Sequence, residues 1–305
     1  MNDKMLEYGI LRPYSNIFGF STTRHGGVGE ETYATFNCTH YCGDRPENVK
    51  ANLEILSASL PKRPRVFVIP RQTHTTNVRV ITDVPTEEEL QNVDAVVTHL
   101  KDFCLCVSTA DCVPILIYDT KKQVIAAVHA GWRGTVGRIV EKTLEVMKSH
   151  YGIEGKNVVA CIGPGISLEA FEVGDEVYSA FAEANFDMVR IAKKYEKWHL
   201  DLWEANRMQL LAHGVLPENI EVSGICTYQN HEDFFSARRL GIKSGRILSG
   251  ICSGEILGFR CGTYGLDKRT SKCSVVENIP PKDVGLSDFI CNFAMPKNEW
   301  RCCKI

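Results

Sequence analysis

Three residues carry side chains that could do chemistry together: His74, Cys112 and His129. Cys112 and His129 bracket much of the stretch VSTADCVPILIYDTKKQVIAAVHAGWRGTVGR, residues 107–138. Two hydrophobic runs, 113–118 and 124–128, flank a polar turn at 119–123 and read as a β-hairpin. In such a hairpin the residue before the first strand and the residue after the second return side by side, so Cys112 and His129 are expected to be neighbours. A thiol beside an imidazole is either a metal half-site or a nucleophile with its base. His74 lies just beyond the apolar run 66–69, at a strand end, where sites tend to be built. Three protein ligands leave a fourth tetrahedral position open, as in catalytic zinc sites. The spacing is neither CxxC nor HExxH, so surface histidines and a buried cysteine stand as the bland alternative.

Arginines beside small or flexible backbone form a second set: Arg24-His25-Gly26-Gly27, Arg71, Arg133 in the run AGWRG, and Arg238-Arg239 after Phe234-Phe235-Ser236. The planar guanidinium fork matches phosphate oxygens, and glycine lets backbone amides approach an anion. Taken singly, each arginine could equally be a solvated or ion-paired surface residue. Arg133 follows His129 by four residues, so a tight turn could aim it at the open metal position. The loop holding Arg24 and His25 is long enough to fold over the same opening. Asp111, directly before Cys112, is either an acceptor for a ligand imidazole or a turn residue.

The elements that must position these residues alternate between the two periodicities. Residues 17–43 show no sustained period and read as loop. Asp44-Arg45-Pro46 opens a helix whose Val49, Leu53, Leu56 and Leu60 recur at helical spacing, closed by Pro61. Strands are expected at 66–69, 78–81, 95–98 and 103–107, in the hairpin, and at 158–162, 220–227 and 246–251. Val136, Val140, Leu144 and Met147 mark one face of a helix ending near Tyr151-Gly152. Further helices are expected at 173–184 and 202–213, the second opened by the capping box Asp201 with Glu204. Hairpins and crossovers both occur, which predicts an α/β or α+β fold with mixed sheets.

Composition narrows the function classes. The chain has 305 residues, 44% hydrophobic and 24% charged, the balance of an ordinary soluble globule with a core. A formal charge of −2 with scattered Lys and Arg offers no basic face for nucleic acid. No apolar run approaches the roughly 20 residues of a membrane span, and the first residues lack the apolar centre of a secretory signal. The expected location is therefore cytoplasmic. Of thirteen cysteines, seven lie in residues 1–251 and six in the last 54. Cys104, Cys106, Cys161 and Cys226 sit in apolar runs and read as reduced, small hydrophobes. From Cys252 onward no period defines an element, so one domain is drawn over 1–251. Residues 252–305 are expected to be a Cys-rich tail, poorly ordered or extraneous, against the rival of a small module stapled by metal or disulfides.

Several long motifs go further. They are Arg71-Gln72-Thr73-His74, Ser108-Thr109-Ala110-Asp111-Cys112-Val113-Pro114, His129-Ala130-Gly131-Trp132-Arg133-Gly134, Ile162-Gly163-Pro164 with Phe171-Glu172-Val173-Gly174, Asp201-Leu202 with Asn206, and Cys226-Thr227-Tyr228 with Phe234-Phe235-Ser236-Ala237-Arg238-Arg239. In order, from about Ser21 to Ile251, they closely resemble the laccase-domain family. Its members were first labelled multicopper polyphenol oxidases and later described as zinc-containing purine nucleoside phosphorylases that also deaminate adenosine. The resemblance implies one zinc ion per chain on His74, Cys112 and His129, and a layered α/β/β/α sandwich with mixed sheets. It implies phosphorolysis of adenosine, inosine and methylthioadenosine to free base and sugar 1-phosphate, with adenosine deamination as a second reaction. On that reading His74, Cys112, His129 and Arg133 are catalytic, and Arg24, His25, Arg71, Arg133 and Arg238 bind phosphate and substrate. Residues 165–170 depart from the pattern, because many relatives carry cysteines there; those are not the zinc ligands.

The older oxidase label meets an obstacle in the sequence itself. A type 1 copper with a trinuclear cluster needs roughly ten histidines, several in His-x-His pairs. The chain has nine histidines and no such pair, so copper is disfavoured. The remaining rivals are a cysteine hydrolase with Cys112 as nucleophile and His129 as base, and a binding protein with a structural metal.

Overall fold

Successive residues of the hairpin strands point to opposite faces, and both faces are apolar, so each strand needs a packed layer on either side. The structure, a computed structural model, describes residues 4–254. In chain order its elements are β1 (Met5–Glu7), β2 (Ile17–Thr22), α1 (Pro46–Ser59), β3 (Val66–Val68), β4 (Val78–Val80), β5 (Ala95–Thr98), β6 (Phe103–Thr109), β7 (Val113–Asp119) and β8 (Val124–Ala130). There follow α2 (Trp132–Val136), α3 (Ile139–Tyr151), β9 (Val158–Ile162), β10 (Glu172–Val173), α4 (Asp175–Glu183), α5 (Met188–Ile191), β11 (Ala192–Lys194) and β12 (Trp198–Leu200). The last are α6 (Leu202–Ala212), β13 (Ile220–Val222), α7 (Ala237–Leu240) and β14 (Ile247–Ser253).

Two mixed sheets carry the fold, one ordered β1-β2-β14-β6-β3 and the other β13-β9-β7-β8-β5-β4; β10, β12 and β11 make a small third sheet. On β7, Val113, Ile115 and Ile117 join Val124, Ala126 and Val128 of β8 against Val140, Leu144 and Met147 of α3 and Leu210 of α6. The intervening Leu116 and Tyr118 pack between the sheets with Leu105, Val107, Ile125 and Ile251. On the outer face of the five-stranded sheet, Phe18, Phe20, Cys104, Cys106 and Leu248 meet Leu56 of α1. The layers therefore run helix, sheet, sheet, helix, the α/β/β/α sandwich that the resemblance implied.

The hairpin forms as expected, with Pro114 opposite His129 and Val113 opposite Ala130. Elsewhere local pattern misleads. Residues 17–22, expected as loop, form β2, a wholly buried strand between β1 and β14; a central strand buried on both faces shows no alternation. The helix expected through Val136 and Val140 is two helices, because Arg138 takes a left-handed φ of 61° between them. Its guanidinium is held there by the Ala184 carbonyl and Glu141 and lies over the Phe186 ring. The strand expected over 220–227 stops at Val222, since Gly224 turns the chain with φ +63°. β14 runs to Ser253, pairing Cys252 with Phe18 and Cys104, so a boundary after Ile251 falls inside a strand. The tail beyond Gly254 lies outside the described residues. Among the described residues no helix is long and apolar enough to cross a membrane.

Leu105 is fully buried between the two sheets and tests that interface. Leu105→Ala should lower the unfolding free energy by about 2–5 kcal/mol, read in urea denaturation as a lower midpoint at unchanged slope. A loss of only a few tenths would mean that the sheets do not pack there.

Candidate metal centre

The register of β7 and β8 brings the residue preceding one strand beside the end of the other, which sets Cys112 next to His129. His74 enters from the loop after β3, with its Nε2 3.7 Å from the Cys112 Sγ. The rings of His74 and His129 stand edge to face, 4.9 Å apart at 72°. One ligand atom from each of the three residues lies within 4.8 Å of the others, and among the described residues this is the one such cluster of His, Cys, Asp or Glu set for a metal. His129 is buried, Cys112 half-buried and His74 exposed, so the group opens to solvent on the His74 side. Gly131 leaves the space: a Cβ there would sit 2.9 Å from His74 Cδ2 and 3.0 Å from Cys112 Sγ.

The residue that fixes this geometry is one that the sequence did not single out. Asp94, completely buried just before β5, accepts from His129 Nδ1 at 2.7 Å. The same carboxylate accepts from the backbone amides of Thr73 (3.3 Å), His74 (3.0 Å) and Thr75 (2.8 Å) and from the Thr75 hydroxyl (2.7 Å). Its own carbonyl accepts from the His129 amide. Asp94 thus orients one imidazole by its ring and the other by its backbone. With Nδ1 of His129 committed, Nε2 is the nitrogen left for a ligand, the usual carboxylate–histidine arrangement around a metal. The only signal in the sequence is a carboxylate placed at the start of an otherwise apolar strand.

Asp111 has a different task from the imidazole acceptor considered above. Its carboxylate accepts from the Thr227 hydroxyl and from the Arg238 amide, each at 2.7 Å, and its carbonyl accepts from Ile166. These contacts tie the turn before Cys112 to the segments around Gly165 and Thr227. They also hold Asp111 at φ 86°, as the Asp94 cluster holds His74 at φ 63°. Non-glycine residues in the left-handed region are uncommon and persist where their surroundings over-determine them. Here one of them belongs to the candidate metal cluster and the other adjoins it.

Charge follows from the geometry. Burial raises the Cys112 thiol, but attraction to His129 and hydrogen bonds from His129 and His74 outweigh it and bring the thiol down to about 6. Burial lowers His129, while Cys112 and Asp94 together raise it to about 9. Asp94 would rise through burial, yet its contacts with His129 and Thr75 pull it to about 2. The trio holds a thiolate beside an imidazolium at neutral pH. Two imidazoles and a thiolate are donors that zinc accepts, and a divalent cation would replace the shared proton.

The arginines divide by their partners. Arg24 gives its Nε to the Ala34 carbonyl (3.0 Å) and Nη1 to the His231 carbonyl (2.7 Å), with its guanidinium 5.0 Å from the Phe235 ring centroid. His25 pairs with Asp233 at 2.8 Å. Arg71 is exposed, its amide bonded to the Leu90 carbonyl. Arg238 lies beside Phe171 and gives both terminal nitrogens to the Glu172 carbonyl, while its amide holds Asp111. Arg133, exposed on α2, lies 4.3 Å over the Trp132 ring, and among the described residues its guanidinium has no ion pair or hydrogen bond.

Comparison with known proteins gives the relationship. Residues 18–254 match the family described as multi-copper polyphenol oxidoreductase laccase. The chain is similar to a purine nucleoside phosphorylase of Bacteroides thetaiotaomicron, 55% identical over 258 residues that cover 81% of this chain and 96% of that one. It is also similar to adenosine deaminase RL5 from an unknown prokaryotic organism, 42% identical over 252 residues covering 79% and 96%. Among solved structures, YlmD from Geobacillus stearothermophilus superposes with a TM-score of 0.76 at 28% identity, covering 84% of this chain and 98% of its own. Since the match runs from β2 to the end of β14 and encloses His74, Cys112 and His129, the chain belongs to the multi-copper polyphenol oxidoreductase laccase family.

Proposed function

We propose that this chain is a zinc-dependent purine nucleoside phosphorylase, taking adenosine, inosine or methylthioadenosine with phosphate to free base and sugar 1-phosphate, with adenosine deamination as a second reaction. The observation that carries the reading is the cluster of His74, Cys112 and His129 with its Asp94 support, in a chain 55% identical to a protein named purine nucleoside phosphorylase. The deaminase arm rests on the relative bearing that name. Zinc is preferred to copper because the one cluster among the described residues, with one thiolate and two imidazoles, falls short of what multicopper chemistry requires.

His74, Cys112 and His129 would hold the metal, which supplies Lewis-acid polarisation at a three-ligand site. Asp94 keeps the proton on His129 Nδ1 and so fixes which nitrogen faces the site. Phosphorolysis requires a phosphate dianion held in line with the glycosidic bond while positive charge grows on the sugar. Arg133 is the proposed anchor for it, since stacking on Trp132 orients its fork and leaves its donors available. Arg71 and Arg238 are proposed as further substrate contacts. Arg24 and His25 border the same 231–235 segment and are proposed to support it.

A second reading has a specific observation behind it. Cys112, His129 and Asp94 form a nucleophile, base and orienting carboxylate, the arrangement of a cysteine hydrolase. Metal separates the two readings, because a metal-held thiolate is not free to attack.

Purified protein should carry about one zinc ion per chain, and Cys112→Ala should abolish it. Asp94→Asn should weaken zinc affinity roughly tenfold to a hundredfold, measured by chelator competition; an unchanged affinity would remove Asp94 from its orienting role. A nucleoside screen with and without phosphate then tests the reaction itself.

Stripped of metal, the protein should show iodoacetamide alkylation of Cys112 that stays nearly flat from pH 8 to 7 and falls through a midpoint near 6. An ordinary thiol would lose reactivity already around 8.5. Zinc should suppress the labelling at every pH; labelling at full rate in a zinc-loaded, active sample would favour the hydrolase.

Arg133→Ala should raise the phosphate KM by about tenfold to more than a hundredfold, the worth of a charge-assisted bidentate contact. Zinc content should not change, and phosphate-independent deamination should suffer less. Equal loss of both reactions would assign Arg133 to the fold or the nucleoside instead.

A further inference from the structure

On the face of the five-stranded sheet that packs against α1, three thiols lie together. Cys104 and Cys106 are two apart on β6, and their Sγ atoms are 3.7 Å from one another. Cys252 on β14 is in register directly opposite Cys104, and the two thiols interact. None of the described cysteines is in a disulfide.

The kind of pair matters, and three hydrogen bonds decide it. Toward β6, the Ser253 carbonyl accepts from the Asp102 amide. Toward β2, the Leu248 amide donates to the Thr22 hydroxyl and the Gly254 amide to the Asn16 carbonyl. Peptide groups alternate sides along an antiparallel strand, so the even-numbered residues of β14 face β2, Cys252 among them. Cys104 and Cys252 are therefore a non-hydrogen-bonded pair of the β6–β14 ladder, whose Cα atoms come to about 4.5 Å and whose side chains stand closest. A disulfide spans Cα separations of about 4.4–6.8 Å. By contrast, Cys106 lies over Gly250, which offers no side chain.

Access is one-sided. Cys104 is fully buried, whereas Cys252 is half-buried and lines a small surface cleft with Phe18, Pro61, Lys62, Pro64 and Asp102. Burial encloses Cys104 and pushes its thiol well up, so it does not meet the oxidant first; its place opposite Cys252 is what makes it the resolving partner.

We propose that Cys252 and Cys104 are a peroxide-sensitive modification site, a dithiol that closes to a cross-strand disulfide and fastens β14 to β6. The Cys252 thiolate attacks a hydroperoxide oxygen, breaking the O–O bond and giving a sulfenic acid and hydroxide or alkoxide, which takes up the displaced proton. The Cys104 sulfur then attacks the sulfenic sulfur; the S–S bond forms and water leaves with the Cys104 proton. Two thiols lose two electrons and the peroxide gains them.

The test is peptide mapping of the full chain after a small molar excess of hydrogen peroxide, with free thiols blocked before digestion. Trypsin should release residues 102–121 joined to residues 247–260, at the summed mass less two hydrogens plus the blocking groups on Cys106 and Cys112, with fragmentation placing the link at Cys104. The link should persist in Cys106→Ala, disappear in Cys104→Ala, and in Cys252→Ser leave Cys104 unmodified. The wild-type melting midpoint should rise by roughly 5–10 °C on oxidation, as expected for closing a long loop, and return with dithiothreitol. Absence of the link overturns the proposal, as does its formation to Cys106 or to a cysteine beyond residue 254, or a midpoint that does not rise with it.

Discussion

A carboxylate withdrawn from water is tolerated only when its lone pairs are occupied, and Asp94 meets that condition with five donors. Four come from the loop of residues 73–75 and one from His129, so the carboxylate joins the end of β3, the start of β5 and the end of β8. Removing any one donor leaves the others in place, but removing the charge unsettles all of them at once. Charge-assisted hydrogen bonds of this kind are worth about 1.5–3 kcal/mol each, enough to hold His74 in a left-handed backbone conformation that its side chain does not favour. The cluster of His74, Cys112 and His129 is in this sense a consequence of Asp94. It exists because one buried charge must be surrounded.

The sandwich supplies what Asp94 cannot, a rigid frame that brings three strand ends to one place. β7 and β8 are covered by helices on one face and by the second sheet on the other, so their register is fixed by burial along their whole length. A slip of one residue would turn Val113, Ile115 and Ile117 away from α3 and would separate Cys112 from His129. Stability of the frame and geometry of the site are therefore specified by the same side chains. Gly131 shows the tolerance involved, since a single added carbon would meet both His74 and Cys112.

Much of this was legible in the sequence because it is local. The hairpin turn at 119–123 and the apolar runs beside it placed Cys112 by His129, and helical spacing located α1 and α6. The cap at Asp201 forms as expected, accepting from the Glu204 amide, although Glu204 itself turns to Arg190 and Arg207. The failures are non-local. β2 has no alternation because it is buried on both faces, and β11 and β12, AKK and WHL, are too short to show a period and are defined by pairing with each other. Asp94 was invisible for the same reason: its partners lie 19 to 35 residues away. A carboxylate's importance is set by what surrounds it, and that is known only once the chain is folded.

Cys112 and His129 serve both readings of the site's chemistry because a proton and a metal would compete for one place. Cys112, brought down to about 6, is already a thiolate at neutral pH, so a cation meets no proton there. His129, raised to about 9, does hold a proton, and its Nδ1 side is kept protonated by Asp94. A divalent ion bound there would expel the Nε2 proton of His129. Proton release makes affinity rise with pH until His129 is neutral and level off above about 9, since ligands must be deprotonated to bind. Asp94 acts on both sides of this exchange. It stabilises the imidazolium that would oppose a metal, and it orients the neutral ring that would bind one; the second effect would prevail once a cation's own charge, twice that of the proton displaced, stood beside the Cys112 thiolate.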